Sequence, residues 1–419
     1  MKFGLVILQD LKKVYKFMKQ ARLKKYWEYY ITLLMFLVSG GAFFYMQKGI
    51  IFVPLYFLSS FYYAKKWGKL YRRNKSNFYL FYYLIWCSFS FYIIYPSHSE
   101  SANQFYTIIL MLIGTYWFFS NITFKRFKIL YLDICTFLAA ISIIVYILVH
   151  LGIAPITIVK DSLFSFLHCV GWIDVSERLF GIYWEPGVYQ IVLNVALFMY
   201  LNELANLSLN KKQKVKLIII IITLLLTRST AGYLNLAILV GLIIFRSNKI
   251  RSNIFILIMT SFLACLAIFY LYNSPVVQKK FEQKDKEGTS YEVRLADNIG
   301  MLIMTSEKPL IGYGLSSKDY EQRADELGNL TSSNGILAIS AMFGLPFLFI
   351  YLYFMTKGVK RIIKGFVAYL CLPLIILFHC TEVYFYFPIA LIFILNFKED
   401  ILLQRTFIHK RKASFNLAH

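Results

Sequence analysis

The chain has 419 residues, of which 58% are hydrophobic and 18% aromatic, and it carries a formal net charge of +23. Apolar runs recur from Tyr30 to Asn396, and about 20 apolar residues are enough for a helix to cross roughly 30 Å of hydrocarbon. The pattern leaves no segment for a separate soluble domain and predicts an all-α polytopic membrane protein. Six cysteines and six histidines are scattered without zinc-site spacing, so we expect no metal and no cofactor.

The distribution of basic residues decides between nucleic-acid binding and membrane topology. Of 45 Lys and Arg residues, 33 fall in alternate connectors counted from the N-terminus, and eight of the others lie in the single segment 274–333. Short cytoplasmic loops of membrane proteins are enriched in Lys and Arg. We therefore expect both termini in the cytoplasm and no nucleic-acid partner.

The N-terminal residues 1–28 are predicted to form a basic amphipathic segment on the cytoplasmic side, where a helix would lie on an anionic lipid surface. Its apolar positions recur at helical spacing: Val6, Ile7, Leu11, Val14, Phe17 and Met18. A solvated charged tail is the alternative. Nothing here has the features of a cleavable signal.

Residues 29–396 are predicted to form one transmembrane domain of about twelve helices, with larger external loops at 155–185 and 274–333. A basic cytoplasmic tail, 397–419, follows. The expected spans lie near 30–46, 49–64, 78–95, 103–121, 129–154, 186–206, 216–227, 231–245, 253–273, 334–356, 365–380 and 383–396.

The seventh and eighth spans are short, and residues 216–245 have the length of one helix. A single helix would place Arg228 near the middle of the bilayer, where a charge is costly. Two helices meeting externally at residues 227–232 are therefore predicted.

Four charged residues are expected on the external face: Arg178 and Glu185 in the first large loop, Arg228 in the short hairpin, and Arg294 in the second large loop. Arginine keeps its charge in a low-dielectric cleft and binds phosphate through paired donors. Arginines around one cavity suit a diphosphate-bearing lipid. Alternatively, Arg178 and Arg228 only anchor the membrane interface.

Glu185 precedes Pro186 and Gly187, which suit the first turn of a helix. The positive helix end would favour an ionised carboxylate there, able to act as a base or to hold a sugar hydroxyl. The alternative is that Glu185 only caps the helix.

The second large loop holds several further candidates. Residues 291–304 are predicted to form a helix lying on the membrane, and a turn with Gly312, Tyr313 and Gly314 follows. Ser333 and Asn334 stand at the outer end of the tenth span. The glycines do not form a nucleotide-binding loop, since no strand precedes them and no Lys-Ser/Thr follows.

Three motifs in this order resemble the O-antigen polymerase and O-antigen ligase superfamily, most closely a Wzy-type polysaccharide polymerase. They are Arg178-x-x-Gly181-x-x-x-Glu185-Pro186-Gly187, the Thr-Arg-Ser-Thr-Ala-Gly hairpin at 227–232, and a loop with Arg294, Pro309-Leu310-x-Gly312-x-Gly314 and Ser333-Asn334. The resemblance covers roughly residues 130–396.

The resemblance implies a GT-C-like, metal-independent glycosyltransferase of the cytoplasmic (inner) membrane. Its substrate would be undecaprenyl-diphosphate-linked glycan on the external face, within membrane lipid. A growing chain would move from its carrier to a new lipid-linked repeat, as in O-antigen or capsule synthesis. A flippase and a chain-length regulator of the same pathway are possible partners.

The resemblance also assigns roles to individual residues. Arg178 and Arg294 match arginines that hold the diphosphate, Arg228 matches less closely, and Glu185 is our candidate base. Substrate contacts are expected at Arg228, Gly187, Tyr313, Gly314, Ser333 and Asn334.

Two alternatives to polymerisation stay open. Ligases of the superfamily commonly have a histidine before the position of Asn334, and its absence here favours a polymerase over transfer to lipid A core. A flippase would have paired mid-membrane charges and an internal repeat, neither of which the sequence displays.

Overall fold

The computed structural model describes residues 2–40, 51–71, 76–97, 103–152, 172–173, 178–183, 185–247, 290–315, 317–328, 334–380 and 383–398. These residues are mostly helical, consistent with an all-α membrane protein. The helices before the first large loop are α1 (Lys2–Val38), α2 (Phe52–Trp67), α3 (Ser76–Phe89, extended by a π-helical turn over Ser90–Ile94), α4 (Asn103–Phe119) and α5 (Phe124–His150).

A two-stranded antiparallel sheet follows, in which β1 (Trp172–Ile173) pairs with β2 (Leu179–Gly181). The later helices are α6 (Pro186–Met199), α7 (Leu201–Ala205), α8 (Lys211–Leu226), α9 (Thr230–Arg246), α10 (Ser290–Glu307), α11 (Lys318–Glu326), α12 (Gly335–Phe343), α13 (Leu345–Ile362), α14 (Val367–Leu370) and α15 (Leu372–Cys380). A 3-10 helix spans Ala390–Phe393.

Helix α6 is the centre of the bundle. Every residue of α6 except Gly187 is buried, and the helix packs against α5, α8, α9 and β2. A helix that is buried all round needs neighbours on every side. Helix α6 is therefore surrounded by other elements of the bundle.

The interruption predicted between residues 227 and 231 is confirmed, because α8 ends at Leu226 and α9 begins at Thr230. Arg228 lies between them with φ +46°. The Ser229 side chain accepts a hydrogen bond from the Gly232 N–H, which caps the start of α9.

The tenth predicted span, 334–356, is wrong as one continuous helix. Its residues form α12 and α13, which are separated at Gly344 with φ +82°. A Cβ atom at Gly344 would lie 2.4 Å from the Leu310 carbonyl oxygen, and the Leu345 N–H donates to Pro309 O at 2.7 Å. The segment that follows α10 therefore packs into the break.

The twelfth predicted span, 383–396, is not an α-helix. Several of its backbone N–H groups bond three residues back, as from Ala390 to Phe387 and from Ile392 to Ile389. Pro388 lacks the N–H that an α-helix needs inside its ladder. Residues Ile389–Leu395 are nevertheless buried, so this irregular segment lies inside the bundle rather than against lipid.

The helix predicted within the second large loop is confirmed as α10, which packs against α12. Helix α11 is joined to the end of α10 by an ion pair: Arg323 Nε donates to Glu307 Oε2 at 3.0 Å, and Arg323 Nη2 donates to Glu307 Oε1. Within α11, Arg323 Nη1 also donates to Glu326 Oε2 at 2.9 Å. The hydrogen bonds from Arg323 and then Tyr313 lower the pKa of Glu307.

Among the described residues, Phe124–Leu148 is the stretch of helix long and apolar enough to cross a membrane by itself. Shorter apolar helices lie at Phe78–Ile94, Pro186–Met199, Thr230–Arg246 and Val367–Cys380. Helix α1 runs without interruption from the predicted cytoplasmic segment into the first predicted span. The count of twelve spans and the cytoplasmic termini stay predictions, and the ninth predicted span, 253–273, lies outside the described residues.

Gly358→Ala tests the packing of the irregular C-terminal segment. A Cβ atom at Gly358 would lie 1.6 Å from the Phe393 carbonyl oxygen, so we expect destabilisation of about 1–3 kcal/mol from overpacking. The unfolding midpoint of the detergent-purified protein measures it. Gly241→Ala is the control, because a Cβ atom at Gly241 would meet no neighbouring atom within 4 Å. This substitution should be neutral or slightly stabilising. Equal midpoints for both variants would contradict the packing.

The ion pair between α10 and α11 should weaken in acid. Because its carboxylate pKa is lowered from 4.5 in the folded protein, Glu307 contributes stability above that ordinary value and loses it as pH falls through the lower folded pKa. We expect the unfolding midpoint of Glu307→Gln to lie below that of the wild type near pH 7, and we expect this difference to shrink as the pH falls below 4.5. A difference that stays constant over this range would contradict the assignment.

Candidate active site

Helices α6 and α9 begin side by side. A Cβ atom at Gly232 would lie 2.8 Å from the Gln190 Cβ, and the Asn194 amide donates to the Gly232 carbonyl at 3.3 Å. Gly232 lies in the first turn of α9, whereas Gln190 and Asn194 lie in the second and third turns of α6. We call this end of the helix pair, formed by Glu185–Gly187 and Arg228–Gly232, the mouth. Each of the two helix N-termini carries positive partial charge, which favours an anion.

Glu185 occupies the N-cap position of α6, with extended backbone (φ −156°, ψ 160°) and a half-buried side chain. Its carboxylate makes no capping hydrogen bond. Pro186, at the first helical position, has no N–H to be capped. No hydrogen bond therefore supports the alternative that Glu185 is a helix cap. Its carboxylate lies beside the positive end of α6. Gly187 is half-buried in the same turn.

The hairpin that carries Arg178 packs on α5 and α6. Arg178 is half-buried and directly precedes β2, whose residues are all buried. Gly181, at φ +59°, lets the chain turn from β2 toward α6, since a Cβ atom there would lie 2.9 Å from the Tyr189 ring. The stacked rings of Tyr183 and Tyr189, 5.3 Å apart, hold this turn against α6.

Arg228 adopts a left-handed backbone conformation, which costs roughly 1–2 kcal/mol for a residue with a Cβ atom. It shares this feature with Leu207 among the described non-glycine residues. The Arg228 N–H donates to Leu225 O at 3.3 Å, and the side chain is half-buried. Glycine is the usual residue at such a helix C-terminus, so an arginine here is a candidate for function.

Three buried amides lie directly below the mouth: Gln190 and Asn194 on α6, and Asn235 on α9. Asn194 Nδ2 donates to Gln190 Oε1 at 3.0 Å, and Asn235 Nδ2 donates to the same oxygen at 3.2 Å. All three side chains are at most 1% exposed. We call them the amide cluster. Sequence reasoning overlooked it, although amides four residues apart in an apolar run are a recognisable signal.

Each member of the amide cluster keeps one buried polar atom without a partner in the described part of the chain. These atoms are Gln190 Nε2, Asn194 Oδ1 and Asn235 Oδ1. A buried polar group that makes no hydrogen bond costs about 1–3 kcal/mol. Three such groups in contact indicate a place where hydrogen-bonding capacity is left for something else.

Arg294 is exposed on α10. The structure therefore places it on a different element from the mouth, on the helix that packs against α12. On the same helix Asp297 is buried, and Thr305 shares a hydrogen bond of 2.9 Å with Ser340 of α12. These contacts hold α10 against α12.

Tyr313 is buried, and its hydroxyl donates to Glu307. Burial, followed by this bond, raises the pKa of Tyr313 to about 12. The ring packs with Met301, Met304 and Ala341, and Lys308 Nζ lies 4.2 Å from its centroid. The contacts of Tyr313 within the described residues are thus those of a packed side chain.

Gly312 and Gly314 allow the chain to run along the end of α12. The N–H groups of Tyr313 and Gly314 donate to Ala341 O at 2.8 Å and Met342 O at 2.9 Å, which are carbonyls that a helix C-terminus leaves unpaired. Gly314 has φ +86°, and a Cβ atom there would lie 2.4 Å from the Tyr95 ring. The motif thus has a packing role.

Asn334 is the N-cap of α12, where its Oδ1 accepts from the N–H groups of Ile336 at 3.1 Å and Leu337 at 3.3 Å. This oxygen stabilises the helix start. Ser333 lies outside the described residues. The substrate contacts expected at Ser333, Asn334, Tyr313 and Gly314 therefore stay predictions.

Comparison with known proteins identifies one family. Residues 216–352, about a third of the chain, match the family model described as O-antigen ligase. The match includes Arg228, Arg294 and Asn334, whereas Arg178 and Glu185 precede it. A search of curated proteins and a search of solved structures each gave no match. The match confirms the predicted resemblance: residues 216–352 are similar to the O-antigen ligase family, whose members are membrane glycosyltransferase-like enzymes.

Proposed function

We propose that the protein polymerises undecaprenyl-diphosphate-linked oligosaccharide repeat units at the external face of the cytoplasmic membrane. The observation that carries this proposal is the packing of the start of α9 against α6 at Gly232 and Gln190, with Glu185 at the N-terminus of α6 and a left-handed Arg228 just before α9. Positive helix ends and an arginine suit a diphosphate leaving group. A carboxylate without a capping bond suits an acceptor hydroxyl.

The reaction needs one bond made and one broken. The hydroxyl oxygen of the incoming repeat attacks the anomeric carbon of the growing chain, and the bond from that carbon to the carrier diphosphate breaks. The diphosphate leaves with the electron pair, and Glu185 accepts the hydroxyl proton. Arg228, with Arg178 and Arg294 as further diphosphate contacts, stabilises the negative charge that develops.

Arg294 lies on α10, which packs against α12, and α12 in turn packs against α13 and α15 of the bundle. We call α10 and α12 together the arm. We propose that this arm brings Arg294 to the diphosphate bound at the mouth. In this proposal Tyr313, Gly314 and Asn334 support the arm through the contacts described above.

Ligation is the second candidate, because the matching family model is itself described as O-antigen ligase. The same donor chemistry would then deliver the glycan to lipid A core. A deletion strain separates the two functions by its products. Loss of a polymerase leaves single repeat units, whereas loss of a ligase leaves finished polymer on the lipid carrier. Finished polymer on the carrier would overturn the polymerase proposal.

Arg228→Gly should separate stability from activity. Glycine relieves the left-handed strain, so we expect the unfolding midpoint to be kept or raised. Loss of the guanidinium should lower the rate of product formation by about 10²- to 10³-fold. The matched control is Leu207→Gly, which relieves the same conformation at an exposed site between α7 and α8 and should keep wild-type activity. A rate for Arg228→Gly within twofold of wild type would refute its role.

Glu185→Gln tests the proposed base. We expect transfer to fall by about 10²- to 10⁴-fold. Stability should not change, since the carboxylate makes no capping bond. Polymer length and amount are measured in a complemented deletion strain at equal expression, with purified protein used to compare unfolding midpoints. Wild-type polymer from the variant would show that another group accepts the proton.

A further inference from the structure

The amide cluster has a defined hydrogen-bonding pattern. Asn194 Nδ2 donates to two backbone carbonyls, Gln190 O at 3.0 Å and Gly232 O at 3.3 Å. These carbonyls fix which atom of the Asn194 amide is the nitrogen. Gln190 must then present its oxygen to Asn194, and Asn235 must present its nitrogen to Gln190. The cluster therefore offers one unused donor, on Gln190, and two unused acceptors, on Asn194 and Asn235.

The position of the cluster relates it to the mouth. Gln190 lies four residues after Pro186 and Asn235 five residues after Thr230, which at 1.5 Å per residue is about 6–8 Å along each helix. A group bound at the mouth through its diphosphate would extend its next ring toward these amides. Of the two amides on α6, Gln190 lies nearer the N-terminus of the helix, and Asn194 donates to the Gly232 carbonyl of the mouth.

The chemistry of the cluster is uncharged. Helix α6 contains no charged residue, and the single charge of α9 is Arg246 at its far end. A donor beside two acceptors pairs with a group that can both accept and donate, such as a hydroxyl or an acetamido group. An ion would find no opposite charge on these helices, whereas sugars carry such neutral groups.

We propose that Gln190, Asn194 and Asn235 form a specificity-determining subsite for hydroxyl or acetamido substituents of the sugar attached to the diphosphate. The inference rests on the proposed function, since it takes the mouth to hold a lipid-linked sugar diphosphate. The amide cluster then distinguishes the sugar, while the mouth binds the diphosphate that all such carriers share.

The test compares two probes, the lipid-linked glycan that accumulates in a deletion strain and bare undecaprenyl diphosphate. Affinities are measured with the purified full-length protein in nanodiscs. We expect the wild type to prefer the glycan-linked probe. Gln190→Met and Asn235→Leu, which remove hydrogen bonds at similar volume, should each weaken glycan binding by about tenfold and leave bare-carrier binding unchanged.

Asn202→Leu is the matched control, because Asn202 is a partly buried asparagine with an unpaired Oδ1 in α7, away from the mouth. Its preference for the glycan should equal that of the wild type. If both cluster variants fail to fold, Gln190→Asn, which keeps the amide but shortens its reach, decides the question and should also lose the preference.

The outcomes separate this inference from the proposed function. An unchanged preference in the folded cluster variants, or equal affinity of the wild type for both probes, overturns the subsite. A deletion strain that accumulates no lipid-linked glycan overturns the proposed function itself.

Discussion

The contact between Gly232 and Gln190 is the constraint on which the candidate site depends. The first turn of α9 approaches the second turn of α6 closely because glycine contributes no side chain at this point, a general means of bringing helices together in membrane proteins. The approach aligns Asn194 with the Gly232 carbonyl. A larger residue at position 232 would move the start of α9, and with it Arg228, away from α6.

The hydrophobic runs, together with the free-energy cost of placing a charge in hydrocarbon, were sufficient to predict much of the helical architecture. The separation of α8 from α9 followed from the cost of placing Arg228 in hydrocarbon, which is a local property of the sequence. The break at Gly344 depends instead on the carbonyl of Leu310. Likewise the irregular segment around Pro388 is stabilised by burial inside the bundle. Such long-range partners are invisible to hydropathy, which describes only the average surroundings of a segment.

The candidate residues divide in a similar way. Glu185 and Arg228 were recognisable because a charge at the end of an apolar run is rare, and the structure places both at the mouth. Tyr313, Gly314 and Asn334 carry equally suggestive residue types, yet their described contacts are with Glu307, Tyr95 and the first turn of α12. Polar and glycine residues beside turns serve packing, capping and binding alike, so residue type alone does not distinguish these roles. Residue type does not reveal the amide cluster either, because its hydrogen bonds form only where α6 packs against α9.

The irregular segment at the C-terminal end has a consequence for how the chain assembles. Non-helical backbone is tolerated in a membrane only where protein covers it, so residues 384–395 have no stable form alone in lipid. Their cover includes a residue made much earlier: the Ile389 N–H donates to Ser39 Oγ at 3.2 Å, and the Tyr384 hydroxyl donates to the Ser39 carbonyl at 3.5 Å. Residues 384–395 thus pack against helices that are made earlier, and this part of the bundle closes only after these residues have been synthesised.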